Sequence, residues 1–552
     1  MDAHSDDTEK RIDRFVHNKD ETYFDPVLVD PAEELSLHRG LKARQISMIT
    51  LGGSLGTGLI IGSGTALVRG GPLGLFFGYS FMGMVCYFVM ISLGEMGAYL
   101  PHKKGFAGYA TRYVDPAFGF ALGWNYVFKY FIQTTNNVNA AGAVVQYWTL
   151  RVPIEVWMVI YIAAIFLINL MGIRVFGEFE FWFCSIKVVS LVGLILMGLI
   201  IDLGGNPKHD RIGFRYWNPP YGPLGDYLPQ LNNIRLSHFL GFWSTLTTAL
   251  FSYIGTELIG VTVGEAQNPR KTVPKAIRRM FFRILVFYVG GTFVISLLVP
   301  SNSSALFVAS KSPAGAAASP FVVAITIAGI RVLNHVINAV VLIFVLSASN
   351  SDLYIGSRTL YGLAVERKAP RIFAKVNRYG VPWPSLLLNT LVCFLTFLNA
   401  TSSSSVAFGW FANLIASFGA ITWMCISYTH IAFMGALKAQ GIDRNTLPYK
   451  APFQPYASWF ALIFTGIVLF FNGFSAFIPF VSSSFITSYI AIPIFLALWV
   501  GYKVYHRTTT ISASEADLFT GKREIDEEEE RFLEREKLKG PRSRLQQIWD
   551  AL

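Results

Sequence analysis

The sequence predicts an all-α membrane protein of twelve membrane-spanning helices, and three observations carry that prediction. Of its 552 residues, 53% are apolar and 15% are charged, with a mean hydropathy of +0.44, the balance of a chain that lives in lipid. Apolar runs of spanning length, about 20 residues, recur from residue 46 to residue 505. Charged residues avoid these runs and gather in the two tails and in alternate loops. The formal net charge of +11 is therefore read as loop charge. No basic patch with interleaved aromatics marks a nucleic-acid surface.

Residues 1–45 are polar, mix acidic with basic side chains and contain no signal-peptide pattern, so they are expected to form a disordered cytosolic tail. Spans are then expected at about 46–69, 74–98, 117–147, 154–172, 180–201, 240–264, 280–300, 332–364, 383–400, 405–435, 456–478 and 485–505. An even number returns both termini to one side. Placing that side in the cytosol puts Arg270, Lys271, Lys275, Arg278, Arg279, Lys103 and Lys104 inside, as the positive-inside rule requires. A charged tail, 506–552, follows. Its acidic and basic run from Glu524 to Lys537 reads as a solvated helix or a disordered arm. Both tails, with Lys10 and Lys19 in the first, are open to cytosolic trafficking or ubiquitination machinery.

The first span carries six glycines within thirteen residues, from Gly52 to Gly64, together with Ser54 and Thr57. One reading is close helix–helix packing through small residues. The other, which so dense a run favours, is a broken helix whose second half starts near Thr57 and aims its amides at an anionic group. The sixth span holds a second interruption, Phe251-Ser252-Tyr253-Ile254-Gly255-Thr256-Glu257. Breaks in the first and sixth spans are what two inverted five-helix repeats produce, with a solute held between them at mid-membrane. A carboxylate would meet amides and hydroxyls at Ser54, Gly56, Thr57 and Gly58. An ammonium would meet the freed carbonyls of the first span's first half and those of Phe251 and Ser252, with Gly255 as a further residue of the substrate site.

Ionisable residues inside apolar runs are costly and so informative. Lys187 lies too deep in the fifth span to reach water. Glu257 is either a gate or proton-relay group or a carboxylate paired with a nearby lysine or hydroxyl. Glu95 reads as structural or as part of an inner gate, and Ser347, Asn350 and Asp352 as one polar side of the eighth span. Cys86, Cys184, Cys393 and Cys425 stand apart within apolar runs, so neither a metal site nor a disulfide framework is expected. No nucleophile–base set points to an enzyme.

Five stretches, Gly52–Leu59, Gly94-Glu95-Met96, Phe176–Trp182, Phe251–Leu258 and Glu265–Lys271, together resemble the fungal amino-acid permeases of the amino acid–polyamine–organocation superfamily. The stretches Asn206–Trp217, Ala318–Ile325 and Ser349–Tyr354 resemble its dicarboxylic (acidic) branch. The resemblance runs from about residue 40 to 505. It implies a leucine-transporter-type fold of two inverted five-helix repeats plus two further helices, in the plasma membrane, importing amino acids with protons as the coupling ion and no other cofactor. It also implies a coupling role for Lys187, because a lysine stands there in related bacterial transporters where sodium-coupled ones hold sodium. One departure bears on the substrate: the third span reads Gln133-Thr134-Thr135-Asn136-Asn137-Val138-Asn139, where the family pattern contains proline and fewer asparagines. An acidic substrate needs a partner for its second carboxylate, and Lys129, two turns before Asn136, is the expected cation, unless it snorkels to the interface. A neutral or broad substrate range is the alternative. From another class, the alternative is a non-transporting amino-acid receptor, against which the short first tail argues.

Overall fold

Gly70-Gly71-Pro72 turns one apolar run into two helices. The run 58–99 covers 42 residues, which at 1.5 Å per residue is ~63 Å, about twice the hydrocarbon thickness. Gly71 reverses the chain at φ +70°. A Cβ there would lie 2.6 Å from the backbone nitrogen of Gly225, so the turn excludes every side chain. The structure is a computed structural model that describes residues 55–102, 105–258, 260, 269–303, 306, 319–330, 332–400 and 404–538. Ser54, the first tail and most of Glu265–Lys271 lie outside the described residues.

Helices α1 (58–70) and α2 (72–99) are followed by a short α3 (Gly105–Tyr113) and by α4 (Pro116–Val145). Proline at its first position and the Asp115 carboxylate, which accepts from Ala117 N at 2.7 Å, start α4. Then come α5 (Ile154–Leu170), α6 (Ile173–Asp202), α7 (Ile234–Tyr253) and α8, built from Pro269–Arg283, a π-helical stretch Ile284–Gly290, and Gly291–Leu298. After these follow α9 (Pro320–Ala328), α10 (Leu333–Val365), α11 (Trp383–Val392, with a 3-10 extension Cys393–Ala400), α12 (Ser404–Ala439), α13 (Tyr456–Phe470), α14 (Ser482–Tyr489), α15 (Ala491–His506) and α16 (Lys522–Leu538). Among the described residues there is no β-strand, and seven helices are long and apolar enough to cross a membrane. The apolar helices Ile154–Leu170 and Trp383–Phe397 are shorter.

Several boundaries differ from those expected. The α6 helix begins about two turns early, because Phe176 and Glu180 are buried against other helices although Arg174, Glu178 and Glu180 lower the local hydropathy. Hydropathy averages over a helix and is blind to which face a charge occupies. The α7 helix stops at Tyr253, inside a run that hydropathy reads as continuous.

Packing sorts the helices into centre and rim. In α4, Lys129 and the stretch from Thr134 to Asn139 are buried. In α6, Trp182, Val189 and Leu196 form an exposed apolar stripe at seven-residue spacing, while Cys184, Lys187, Leu191 and Leu194 are buried on the opposite side. An apolar stripe with no protein over it is what a lipid-facing helix presents. The chain after α15 turns back on itself: Ile511 N donates to Val114 O at 2.9 Å, and Leu518 is fully buried. Arg270 grips α16 through Asp526 and through Glu529 at 2.6 Å. Of the two forms expected for the acidic run, the structure shows the solvated helix, with one face docked because its cationic partner comes from a segment 256 residues away.

Candidate substrate site

The start of α1 and the break that ends α7 lie in contact, and what precedes Leu55 in the first span lies outside the described residues. Leu55 and Gly56 are non-helical, and helical backbone begins at Thr57. The first amides of α1 therefore have no acceptor within the helix and carry the positive end of its dipole. A π-helical turn, Gly58–Gly62, follows. At the other break, Ile254 is extended and Gly255 adopts φ +104°, which a side chain would oppose. Gly255 N donates to Glu257 Oε2 at 2.9 Å and Thr256 N to Tyr253 O at 3.3 Å. In a continuous helix these amides would serve the carbonyls of Phe251 and Ser252, so the break frees those two acceptors.

The described glycines of the run have different surroundings. A Cβ on Gly58 would sit 2.5 Å from Ser252 Cα, and one on Gly62 would sit 3.5 Å from Thr248 Cγ2. Gly58 lets α1 and α7 approach backbone to backbone, while Gly62 faces α7 side chains at ordinary contact distance. The space beside Gly58 is filled by Ser252, while at Gly56 the nearest atom is Ala348 Cβ at 3.8 Å. Tyr79 closes the contact: its hydroxyl lies 2.8 Å from Ser252 Oγ and 3.3 Å from Gly58 O. Since Ser252 Oγ itself donates to Thr248 O at 3.0 Å, its hydroxyl is committed to packing and its carbonyl is the group left for a ligand.

Lys129 does not snorkel. It is fully buried and forms an ion pair with the fully buried Glu257, under the rings of Tyr130 and Tyr126 at 4.0 and 4.5 Å. Trp423 Nε1 adds a bond to Glu257 Oε2 at 3.3 Å. The pair ties α4 to the α7 break. Lys187 points at the other break, with Nζ 3.4 Å from Leu55 O. Asn136 is buried with neither side-chain amide atom bonded. Its neighbour Asn137 reaches α1 instead, accepting from Thr57 Oγ1 at 2.8 Å and donating to Asp352 Oδ2 at 2.7 Å. Gln133 Nε2 donates to Asp352 Oδ1 at 3.0 Å.

The polar side expected on α10 divides in two. Ser347 and Asn350 donate to Glu180, at 2.6 and 3.4 Å, and Cys184 adds a thiol donor at 3.1 Å. Asp352 faces α4 instead. At 100° per residue, positions 347 and 350 share a face and 352 does not, a separation the spacing already contained. Glu180, unassigned from sequence, is the third fully buried carboxylate near the breaks. A separate cluster holds Glu95, which accepts from Arg444 Nη2 at 2.7 Å and contacts His430 Nε2 at 3.2 Å. Away from these groups, an open groove of about 770 Å³ is lined mainly by apolar residues such as Leu73, Phe77, Phe81 and Phe242, and beside Arg235 and His238 it holds no carboxylate to meet a zwitterion's ammonium. Among the described residues no group of acidic, histidine or cysteine side chains is arranged to hold a metal.

A family model described as amino acid permease matches residues 45–512. The chain is 46% identical over 502 residues to the dicarboxylic amino acid permease of Saccharomyces cerevisiae, covering 90% of this chain and 82% of that protein. It is 42% identical to the lysine-specific permease of the same yeast, covering 90% and 80%. To the proline-specific permease of Emericella nidulans it is 40% identical, covering 94% of each. In fold it is similar to a manganese transporter of Eremococcus coleocola, at a TM-score of 0.50 and 14% identity, covering 84% of this chain and 93% of that one.

Proposed function

The chain belongs to the amino acid permease family, and from that premise we propose that it is a proton-coupled plasma-membrane importer of amino acids, with acidic ones preferred. It is a multi-pass membrane protein and a transporter, not an enzyme. The observation that carries the geometric reading is the contact between the two breaks, which sets unpaired donors at the start of α1 against freed acceptors at the end of α7. A zwitterion needs both. Its carboxylate takes the amides of Gly56, Thr57 and Gly58, with Ser54 as a further donor, and its ammonium takes the carbonyls of Phe251 and Ser252. Twelve spans in two inverted repeats plus two helices is the topology this reading uses, with both termini in the cytosol.

The acidic preference draws support from the likeness to the yeast dicarboxylic permease and from Lys129, the cation beside the α7 break. Protonation of Glu257 would release Lys129 to a substrate side-chain carboxylate, with Asn136 adding amide donors. Deprotonation of Lys187 would release Leu55 O. Similarity to proline- and lysine-specific permeases favours a second reading, a neutral or broad range. Uptake of labelled glutamate decides between them. It should rise as outside pH falls from about 7 to about 5, and it should stop with a protonophore. Competition by aspartate but not by alanine, proline or lysine supports the acidic range. Sodium-driven uptake that ignores the protonophore removes the proton reading.

A further inference from the structure

Three buried carboxylates surround the breaks, and they are not equivalent. Glu257 has Lys129 as its counter-ion, with Gly255 N and Trp423 as further donors. Glu180 accepts from three side chains, Ser347, Asn350 and Cys184. Among the described residues, Asp352, 3% exposed, accepts only from the neutral amides of Asn137 and Gln133, and no cation lies within 4.0 Å of it. A buried carboxylate without a counter-ion is expensive as an anion and inexpensive as an acid.

The surroundings are built to hold either form. Gln133 Oε1 is buried and has no hydrogen-bond partner, while Gln133 Nε2 serves Asp352 Oδ1. Rotating that amide by a half-turn exchanges the two atoms, whose assignment rests on the hydrogen-bond network. With Nε2 forward, Gln133 donates to the carboxylate. With Oε1 forward, it accepts from a protonated Asp352, and in either orientation one buried amide atom of Gln133 is left without a partner. The charge on Asp352 is also felt at the first break, because Asn137 joins it to Thr57 through bonds of 2.7 and 2.8 Å. The titratable groups that act on it are Lys129 of α4 and Lys187 of α6, with Tyr126 and Tyr130 of α4 and Cys393 beyond α11.

We propose that Asp352 carries the transported proton, taking it from the outer solution and giving it to cytosolic water once per cycle, with Gln133 turning to match each state. The inference rests on the proton-coupled reading above. It adds the group on which the proton rides, to whose charge Glu257, Lys187 and the α1 break respond. Asp352 is a coupling residue and does not itself touch the substrate.

The test uses the full chain in vesicles, with labelled glutamate and an acid-outside gradient, beside exchange of labelled for unlabelled glutamate at equal pH. The wild type should accumulate glutamate with the gradient; if it does not, the proton-coupled reading fails and this proposal falls with it. In Asp352→Asn, an amide that mimics the protonated acid, gradient-driven accumulation should fall about tenfold or more while exchange continues at a reduced rate. Asp352→Glu should recover part of the accumulation. A second variant, Gln133→Met, removes the donor to the anion, so the midpoint of the pH profile should move up, by about one unit for a charge-assisted bond. Undiminished accumulation in Asp352→Asn beside a working wild type overturns this inference alone. Equal loss of accumulation and exchange, with the protein present in the membrane, overturns it in favour of a substrate-binding or structural carboxylate. An unmoved midpoint in Gln133→Met overturns it as well.

Discussion

Gly58→Ala is the smallest change that separates packing from binding at the first break. The added methyl would lie 2.5 Å from Ser252 Cα, 2.9 Å from Ser252 Oγ and 3.0 Å from Ser252 N. Carbon atoms rest at about 3.5–4.0 Å, so α1 and α7 would have to part by ~1 Å. Two of the three obstructing atoms are backbone, which cannot rotate aside. Forcing a methyl into so close a contact costs ~1–3 kcal/mol, and parting the helices also lengthens the Tyr79 bridge to Ser252 Oγ. Gly56→Ala is the control, since its methyl would meet Ala348 Cβ at an ordinary 3.8 Å. Thermal unfolding of the purified variants in detergent should show Gly58→Ala lowered and Gly56→Ala close to wild type. Glutamate uptake should fall in both, in Gly58→Ala because the breaks separate and in Gly56→Ala because the methyl crowds the substrate carboxylate. Gly58→Ala with wild-type thermal stability would refute the helix-contact argument. Gly56→Val with normal transport would refute the substrate-site argument.

Lys129→Gln strands Glu257 as a buried anion, a loss of ~3–5 kcal/mol. Lys129→Gln with Glu257→Gln should recover most of the thermal stability, and a single variant as stable as wild type would contradict the ion pair. In any folded fraction, acidic uptake should fall by about tenfold, ~1.4 kcal/mol, with glutamine uptake spared. Arg270→Ala removes the grip on Asp526 and Glu529. Hydrogen exchange of Lys522–Leu538 should quicken with little change in global stability, since partly exposed pairs contribute up to ~1 kcal/mol; unchanged exchange would mean that α16 is held otherwise. In the long loop before α7, hydrogen bonds from Arg215 hold the Asp210 carboxyl below its usual range. A depressed carboxyl contributes above its unfolded pKa, about 3.9, and the contribution fades as pH falls through the folded value. The stability difference between wild type and Asp210→Asn should therefore be constant from about pH 7 to 5 and shrink only in stronger acid.

Local chemistry and composition determined much of this protein without reference to its packing. Hydropathy located the apolar runs, and glycine marked where the backbone departs from a helix, at Gly56 and Gly255, because conformational freedom and helix propensity are properties of a residue and its neighbours. The freed carbonyls of Phe251 and Ser252 were legible for the same reason. What the tertiary structure alone decided was azimuth and partnership. Lys129 and Glu257 are 128 residues apart, and no local signal says that one neutralises the other. Asn137 rather than Asn136 reaches Thr57, although the two are adjacent and chemically identical, because one residue turns a helical side chain by 100°. Gly58 and Gly62 serve packing because α7 lies over them, and a glycine's sequence cannot state what fills the space it leaves. Glu180 went unassigned until Ser347 and Asn350 of α10 were seen to donate to it. The length of an apolar run says that a helix crosses lipid. Which side chains it then buries, and against whom, follows only once every other helix is in place.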